Sequence, residues 1–378
     1  MSLGNPLGNP LGNPLGLARA GADVSAIGTI SFFESDPGSK YLLANGDTYL
    51  QADFPKLFDK IGLWGDINRA EPTQRVLPVS TTWSSVTYGN GVFVAVAGGS
   101  TIAATSPNGI TWTKRVLPVG TAWSSVTYGN GVFVAMASSA DIAATSPNGI
   151  TWTKRVLPVG TAWSSVTYGN GVFVAVAGGS TIAATSPDGI TWTQRTLPAS
   201  ANWSSVTYGN GVFVAMANSA DIAATSPDGI TWTQRTLPVG TAWSSVTYGN
   251  GVFVAVATSG STIAATSPDG ITWTQRTLPA SANWSSVTYG NGVFVAVATS
   301  SSVIAATSPD GITWTQRTLP ASANWSSVTY GNGVFVAVAT GSSVIAATWP
   351  LFYYDASAYF AIPGVFSNGN VTSYIRAR

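Results

Sequence analysis

The sequence predicts a mainly β fold, a seven-bladed β-propeller, on three observations. A thirteen-residue segment, Trp-Ser-Ser-Val-Thr-Tyr-Gly-Asn-Gly-Val-Phe-Val-Ala, begins at Trp83, Trp123, Trp163, Trp203, Trp243, Trp284 and Trp325, at spacings of 40, 40, 40, 40, 41 and 41 residues. A period near forty is that of a four-stranded blade, and the apolar residues fall in short β-branched and aromatic runs without helical spacing. The seventh copy lacks the last quarter of the pattern, and a piece of that quarter stands ahead of the first copy.

Each element of a repeat follows from its residues. In the first copy Ser84 to Tyr88 alternates around Val86 and Tyr88, and Gly89-Asn90-Gly91 supplies the positive φ angles of a tight hairpin before Val92 to Ala97 returns. After the small-residue loop Gly98-Gly99-Ser100, Thr101 to Thr105 makes a third strand. Ser106-Pro107-Asn108-Gly109 then turns, and Ile110 to Val116 makes a fourth. Leu117-Pro118 is expected to end the pairing, because proline cannot donate to a ladder.

In the seventh copy Val344 to Thr348 is a third strand, but Trp349-Pro350-Leu351 replaces the turn and no fourth strand follows. Thr73-Gln74-Arg75-Val76-Leu77-Pro78 matches the end of later fourth strands, such as Thr193-Gln194-Arg195-Thr196-Leu197-Pro198. The N-terminal strand is therefore expected to complete the last blade, since an open ring leaves two apolar blade faces in water. Closure brings residue 72 near residue 349, so the propeller, residues 73–348, reads as an insertion into one domain split between residues 17–72 and 349–378.

In the flanks, Gly28-Thr29-Ile30-Ser31-Phe32-Phe33 and Tyr41-Leu42-Leu43-Ala44-Asn45-Gly46 read as strands, and Phe54 to Gly62 as a short helix with Asp53 as N-cap and Pro55 in its first turn. The C-terminal part carries Phe360-Ala361-Ile362-Pro363 and ends in Tyr374-Ile375-Arg376-Ala377-Arg378. Over about residues 24–65 and 355–378 these motifs resemble the phage tail-collar domain of tail fibres. The resemblance implies a small α+β tail-collar-like domain holding the propeller, and a virion tail location acting outside the host cell. It also implies other tail proteins as partners through the collar-like part, and it allows a homotrimer. The chain departs from the family in carrying a whole propeller where a short connection is usual, and in lacking the histidines with which some fibres hold metal. Residues 1–16, with Leu-Gly-Asn-Pro repeated, have no apolar core and are expected to be extended, ordering against neighbouring tail subunits.

Composition excludes several classes of function. Among 378 residues there is no cysteine and no histidine, which removes disulfides, thiolate nucleophiles, imidazole bases and the usual zinc ligands. Net charge is +1 and only 8% of residues are charged, so the overall balance does not favour nucleic acid or an acidic membrane. No apolar run reaches eighteen residues, so no membrane span is expected, and the N-terminus is not patterned as a secretion signal. No metal, cofactor or catalytic residue is expected, and the chain is read as not an enzyme.

The turn Ser186-Pro187-Asp188-Gly189-Ile190-Thr191-Trp192 recurs from Ser226, Ser267 and Ser308, with Asn for Asp from Ser106 and Ser146. It looks like a shortened Asp-box of sialidase-like propellers. One identical carboxylate per blade suits a folding motif, whereas glycoside hydrolysis needs two dissimilar carboxylates at one site. Arg75, Arg115, Arg155, Arg195, Arg235, Arg276 and Arg317 recur at one fourth-strand position, a ring at the rim and not a substrate clamp. Trp112, Trp152, Trp192, Trp232, Trp273 and Trp314 are expected in the core.

Differences between near-identical copies form an internal experiment. They fall in the segment before each leading Trp (Val-Ser-Thr-Thr, Val-Gly-Thr-Ala or Ala-Ser-Ala-Asn) and in the loop between strands two and three, which also takes the extra residue of the later copies. In an up-and-down blade both emerge on one face, which makes that face the expected recognition surface. Its candidates are Ser100, Thr101, Ser139, Asp141, Asn218, Asp221, Thr258, Ser259, Ser300, Ser301 and Thr340. The loop tryptophans Trp83, Trp123, Trp163, Trp203, Trp243, Trp284 and Trp325 join them. The expected function is a receptor-binding tail fibre or tail-tip adhesin engaging a host-surface glycan or other receptor. A structural virion spacer and a sialidase-like enzyme are the rivals.

Overall fold

The computed structural model describes residues 71–349 and, in the flanks, residues 30–33, 41–43, 48–50, 359–361 and 372–376. Within the Trp83 repeat the strands pair antiparallel in chain order. Tyr88 faces Phe93 and Val86 faces Ala95; Ala95 faces Ala104; Thr105 faces Thr113 and Ile102 faces Val116. The hairpin turns as its residues dictate, with Asn90 at φ 47° and Gly91 at φ 77°. A bulge between Trp83 and Ser85 shifts the register of strand one, and the same bulge recurs in the other repeats.

Two boundaries differ from the sequence reading, each for a local reason. The fourth strand begins at Thr113, not Ile110, because the Asn108 side chain accepts from the backbone N–H of both Ile110 (2.9 Å) and Thr111 (3.2 Å) and curls the chain for two more residues. Leu117-Pro118 does not end the strand either. Thr113–Gly129 is one extended segment of 17 residues, in which strand four of one repeat runs on into strand one of the next. Proline costs one ladder bond but its fixed φ suits extended backbone. The pairing accordingly skips from Ile102 with Val116 to Ser100 with Thr121.

The ring closes through the N-terminal strand. Thr348, Ala347, Ala346 and Ile345 face Thr73, Gln74, Arg75 and Val76 in the register that strands three and four adopt elsewhere. Inner strands close the same circle. Ser84 Oγ donates to Trp123 O at 2.7 Å and Ser85 Oγ accepts from Val126 N at 3.2 Å; at the seam Ser326 Oγ donates to Trp83 O at 2.8 Å and Ser327 Oγ accepts from Val86 N at 3.2 Å. Strand one has an unpaired edge, and these hydroxyls satisfy backbone groups that would otherwise be left over. This is why Ser-Ser follows every leading Trp.

The expected class, a seven-bladed propeller inserted in a small α+β tail-collar-like domain, needs correction. Long shared strands join the four-stranded repeats into one closed ring of antiparallel strands, from Thr73–Gly89 round to Ser343–Trp349. The described residues are mainly β with no helix. In the flanks they are strands only. Ile30–Phe33 and Tyr41–Leu43 pair on either side of Thr372–Arg376, and Thr48–Leu50 pairs with Tyr359–Ala361. An α+β collar is not what these residues form. The helix expected at 54–62 and the arm at 1–16 lie outside the described residues. The chain divides into two compact units, residues 70–352 and a unit drawn from both ends of the chain.

The core lies between repeats. Leu77, Trp83, Phe93, Ala95 and Trp112 pack with Val336 and Val338 of the preceding repeat, and the same set recurs around the ring. Strand two is buried on both faces, from Phe93 to Ala97, and so reads as a continuous apolar run instead of an alternating one. Ala103 and Ala104 are fully buried where strand three meets its neighbours. No repeat can bury its own apolar faces alone.

Candidate binding face

The two faces of the ring differ in what holds their loops. On the face with the hairpin and the Ser-Pro-Asp-Gly turn, Asn130 Nδ2 donates to Pro187 O of the next repeat at 3.2 Å, and Asn332 closes the circle on Pro107 O at 3.3 Å. Gly189 sits at φ 73°, and a Cβ there would meet Val134 Cγ2 of the preceding repeat at 2.6 Å. Trp192 Nε1 donates to Gly189 O at 3.0 Å. Every residue of the turn is thus tied to its own or an adjacent repeat, and near-uniformity on this face follows from packing.

Within that turn Asp188 Oδ1 accepts from Ile190 N at 2.8 Å, from Thr191 N at 3.1 Å and from Ser186 Oγ at 3.1 Å. The Ile190 bond, first among these, holds the Asp188 carboxyl below its ordinary value, and the Thr231 bond does the same for Asp228. At Asp269 and Asp310 desolvation acts upward but is outweighed by the backbone and serine donors, so these too are lowered. A depressed carboxyl contributes stability that is present above its unfolded value and is lost as pH falls through the folded one. Replacing these four aspartates by Asn, as at Asn108 and Asn148, is expected to leave the melting temperature near pH 7 unchanged. It is also expected to flatten its decline between about pH 5 and 2. An identical acid limb in melting curves of the two proteins would contradict the capping role.

The opposite face joins the two variable segments. Each loop between strands two and three bonds to the segment ahead of the next leading Trp. Gly99 N donates to Thr121 O at 2.9 Å, Gly260 N to Asn283 Oδ1 at 2.7 Å and Ser301 N to Asn324 Oδ1 at 2.7 Å. The three longer loops all meet a serine there. Ser281 donates to Gly260 O, Ser322 to Ser301 O at 2.6 Å, and Ser80 to Ser342 O at 2.6 Å. Ser259, Ser300, Ser301 and Ser342 take φ of 76°, 69°, 53° and 59° to make room for the added residue. Every longer loop thus meets a linker serine, although a linker serine also stands at Ser200, opposite the shorter loop at Gly179. Both 41-residue spacings end in a Ser-bearing linker, but so does the 40-residue step from Trp163 to Trp203, so spacing alone does not reveal the bond.

Of the candidate residues, Thr101, Ser139, Asp141, Asp221, Ser259, Ser300 and Ser301 are exposed, while Ser100, Asn218, Thr258 and Thr340 are half-buried. Ser100 Oγ accepts from Ile102 N, and Thr258 Oγ1 donates to Ala242 O. Between the last two loops and the clasp, Ser80, Ser301, Ser322, Asn324, Thr340 and Ser342 line an open groove of about 360 Å³ without a charged group.

The seven leading tryptophans do not belong to this face. Trp83, Trp123, Trp163, Trp203, Trp243, Trp284 and Trp325 are at most 1% exposed. Six of their Nε1 groups donate four residues back, as Trp163 does to Val159 O at 3.1 Å, and Trp325 donates to Ser302 O at 3.0 Å. The bulge beside each Trp turns the ring into the inter-repeat core, a direction that period-two counting cannot give. Trp112, Trp152, Trp192, Trp273 and Trp314 are buried as expected, with Trp232 slightly more open. Each described arginine of the rim spends Nε on a threonine of strand three two residues along from the one it faces, as Arg115, which faces Ala103, does on Thr105 Oγ1 at 2.9 Å, and none makes an ion pair among the described residues. No cluster of three metal-ligating side chains occurs among the described residues.

A closed ring of four-stranded repeats of this kind is that of β-propeller repeat proteins. No protein-family profile matches the chain and no curated protein matches it in sequence. Solved structures match in fold. Virginiamycin B lyase from Staphylococcus aureus superposes at a TM-score of 0.67, covering 74% of this chain and 98% of that one at 12% identity. A YCF48 structure bound to D1 peptide superposes at 0.60, covering 76% and 98% at 13% identity, and YCF48 from Cyanidioschyzon merolae at 0.58, covering 74% and 98% at 13%. At these identities the likeness is one of fold alone.

Proposed function

We propose that this chain is a binding protein whose variable loop face engages a host-surface glycan or another receptor, and that it serves as an adhesin of a phage tail. The observation that carries the binding reading is the gathering of nearly all loop variation into two segments that hydrogen-bond to each other on one face. Exposed small polar side chains and Asp141 and Asp221 crown that face. Seven shallow, similar sites would act by avidity instead of through one deep pocket. The tail location rests on the flank motifs alone.

A lyase stands among the fold neighbours, which keeps an enzymatic reading in view. A histidine-to-alanine variant of that lyase is described as catalytically inactive. This chain contains no histidine, so that chemistry has no counterpart residue here. Screening the full chain on a glycan array, beside the Asp141→Ala/Asp221→Ala variant, tests the reading. Expected is binding that the variant loses at an unchanged melting temperature, because both carboxylates are exposed. Binding by neither protein would favour the spacer.

A further inference from the structure

The ring is not electrically symmetric, and its asymmetry follows the fourth strands. The Trp83 and Trp123 repeats carry Thr-Lys-Arg-Val there, at Lys114-Arg115-Val116 and Lys154-Arg155-Val156, where the next four repeats carry Thr-Gln-Arg-Thr. The clasp, Gln74-Arg75-Val76, continues the valine. The first two repeats also have Asn108 and Asn148 where the next four have Asp188, Asp228, Asp269 and Asp310. Across the clasp, the Trp325 repeat and the first two repeats, the cations Arg75, Lys114, Arg115, Lys154 and Arg155 face only two acids, Glu71 and Asp141. In the remaining four repeats Arg195, Arg235, Arg276 and Arg317 are outnumbered by the four turn aspartates and Asp221.

The same arc carries apolar residues at one exposed fourth-strand position. Val76, Val116 and Val156 are 64%, 64% and 62% exposed, at positions where the other repeats place Thr196, Thr236, Thr277 and Thr318. Solubility alone would place threonine at every such position, as four repeats do. Each of these strands pairs with strand three on one side only, so its outer backbone edge has no ladder partner among the described residues. Lys114 and Lys154 are exposed, and the arginine Nε bonds hold the guanidinium groups against strand three. An open strand edge with cations and valines accepts an extended chain through backbone bonds, while the side chains choose its composition.

We propose that this arc of the rim, centred on the first two repeats, docks an extended protein segment in which acidic and apolar residues alternate. It is a second interaction surface, apart from the loop face. A polyanion without apolar groups would use the cations and leave the valines without a role.

The test is titration of the full chain with a fluorescent peptide of alternating Glu and Val, with heparin as a polyanion lacking apolar side chains. One variant rewrites the arc as its neighbours are written, Lys114→Gln, Lys154→Gln, Val116→Thr and Val156→Thr, changes that four repeats already tolerate. It is expected to weaken peptide binding about tenfold at low salt. A second variant adds Gln275→Lys and Gln316→Lys to the first, which restores net charge on the other arc, and is expected not to recover the peptide. Recovery by the second variant, heparin binding without peptide binding, or no effect of the first variant would each overturn the proposal. None of these outcomes touches the loop face, whose array result stands separately.

Discussion

Trp163→Ala is expected to lower the unfolding free energy by about 3–5 kcal/mol in guanidinium titrations, with little change in the slope. The ring is fully buried among Val134 and Met136 of the preceding repeat and Phe173, Ala175 and Ala184 of its own, and its Nε1 holds Val159 O. Truncation would leave a cavity at an inter-repeat junction together with an unpaired carbonyl. Strand two is packed on both sides, so little can collapse into the space. A tryptophan kept for stacking on a sugar would be exposed, and its loss would cost binding at nearly constant stability. A measured cost below about 0.5 kcal/mol would contradict the core assignment and return these residues to the loop face.

Deleting Thr73–Val76 is expected to cost a comparable amount, about 3–5 kcal/mol, from four ladder residues at roughly 1 kcal/mol for each backbone bond. The location of the damage distinguishes this deletion from ordinary loss of contacts. Ser343–Trp349 would become an unpaired edge, so amide exchange should rise first there and in the two repeats that flank the seam. Distant repeats such as the one at Trp203 should respond least, because each repeat contacts only its neighbours. Uniformly faster exchange around the ring, or none, would show that closure depends on the inner serine circle instead of the clasp.

Different residues carried different amounts of this fold in plain view. Gly89-Asn90-Gly91 and Ser106-Pro107-Asn108-Gly109 announce their turns because each needs a positive φ or a local side-chain acceptor, both of which are properties of a few adjacent residues. The clasp was equally legible, because Thr73 to Val76 repeats a pattern seen later in the chain and the ring has one vacancy for it. The end of the turn at Thr111 was misread, because one side-chain oxygen serves two N–H groups and sequence alone does not count bonds. The leading tryptophans were misplaced for a related reason. Their position beside a loop suggested exposure, while the bulge at Trp83 that points them inward arises only once strand two lies alongside.

The binding face was legible in part. That two variable segments share a side of the ring follows from counting strands. That the added residue and the linker serine form one hydrogen-bonded unit, as Ser322 does with Ser301, needed the partners to be seen together. The contrast in variability between the faces also acquired a physical reason, since a Cβ at Gly189 or a lost amide at Asn130 would disturb the neighbouring repeat, whereas Thr101 and Ser259 are exposed.

By itself, then, the sequence determined the repeat, its four strands, its turns and the closing segment, because these depend on local backbone preference and on a pattern that recurs within the chain. Only the tertiary structure decided that the repeats share long strands in one continuous ring, that the flanks contribute strands to common sheets, and which way each Trp points. Those outcomes depend on ladders and packing between residues far apart in the chain, and the recurring Ser-Ser does not by itself say that Ser85 bonds to a neighbouring repeat.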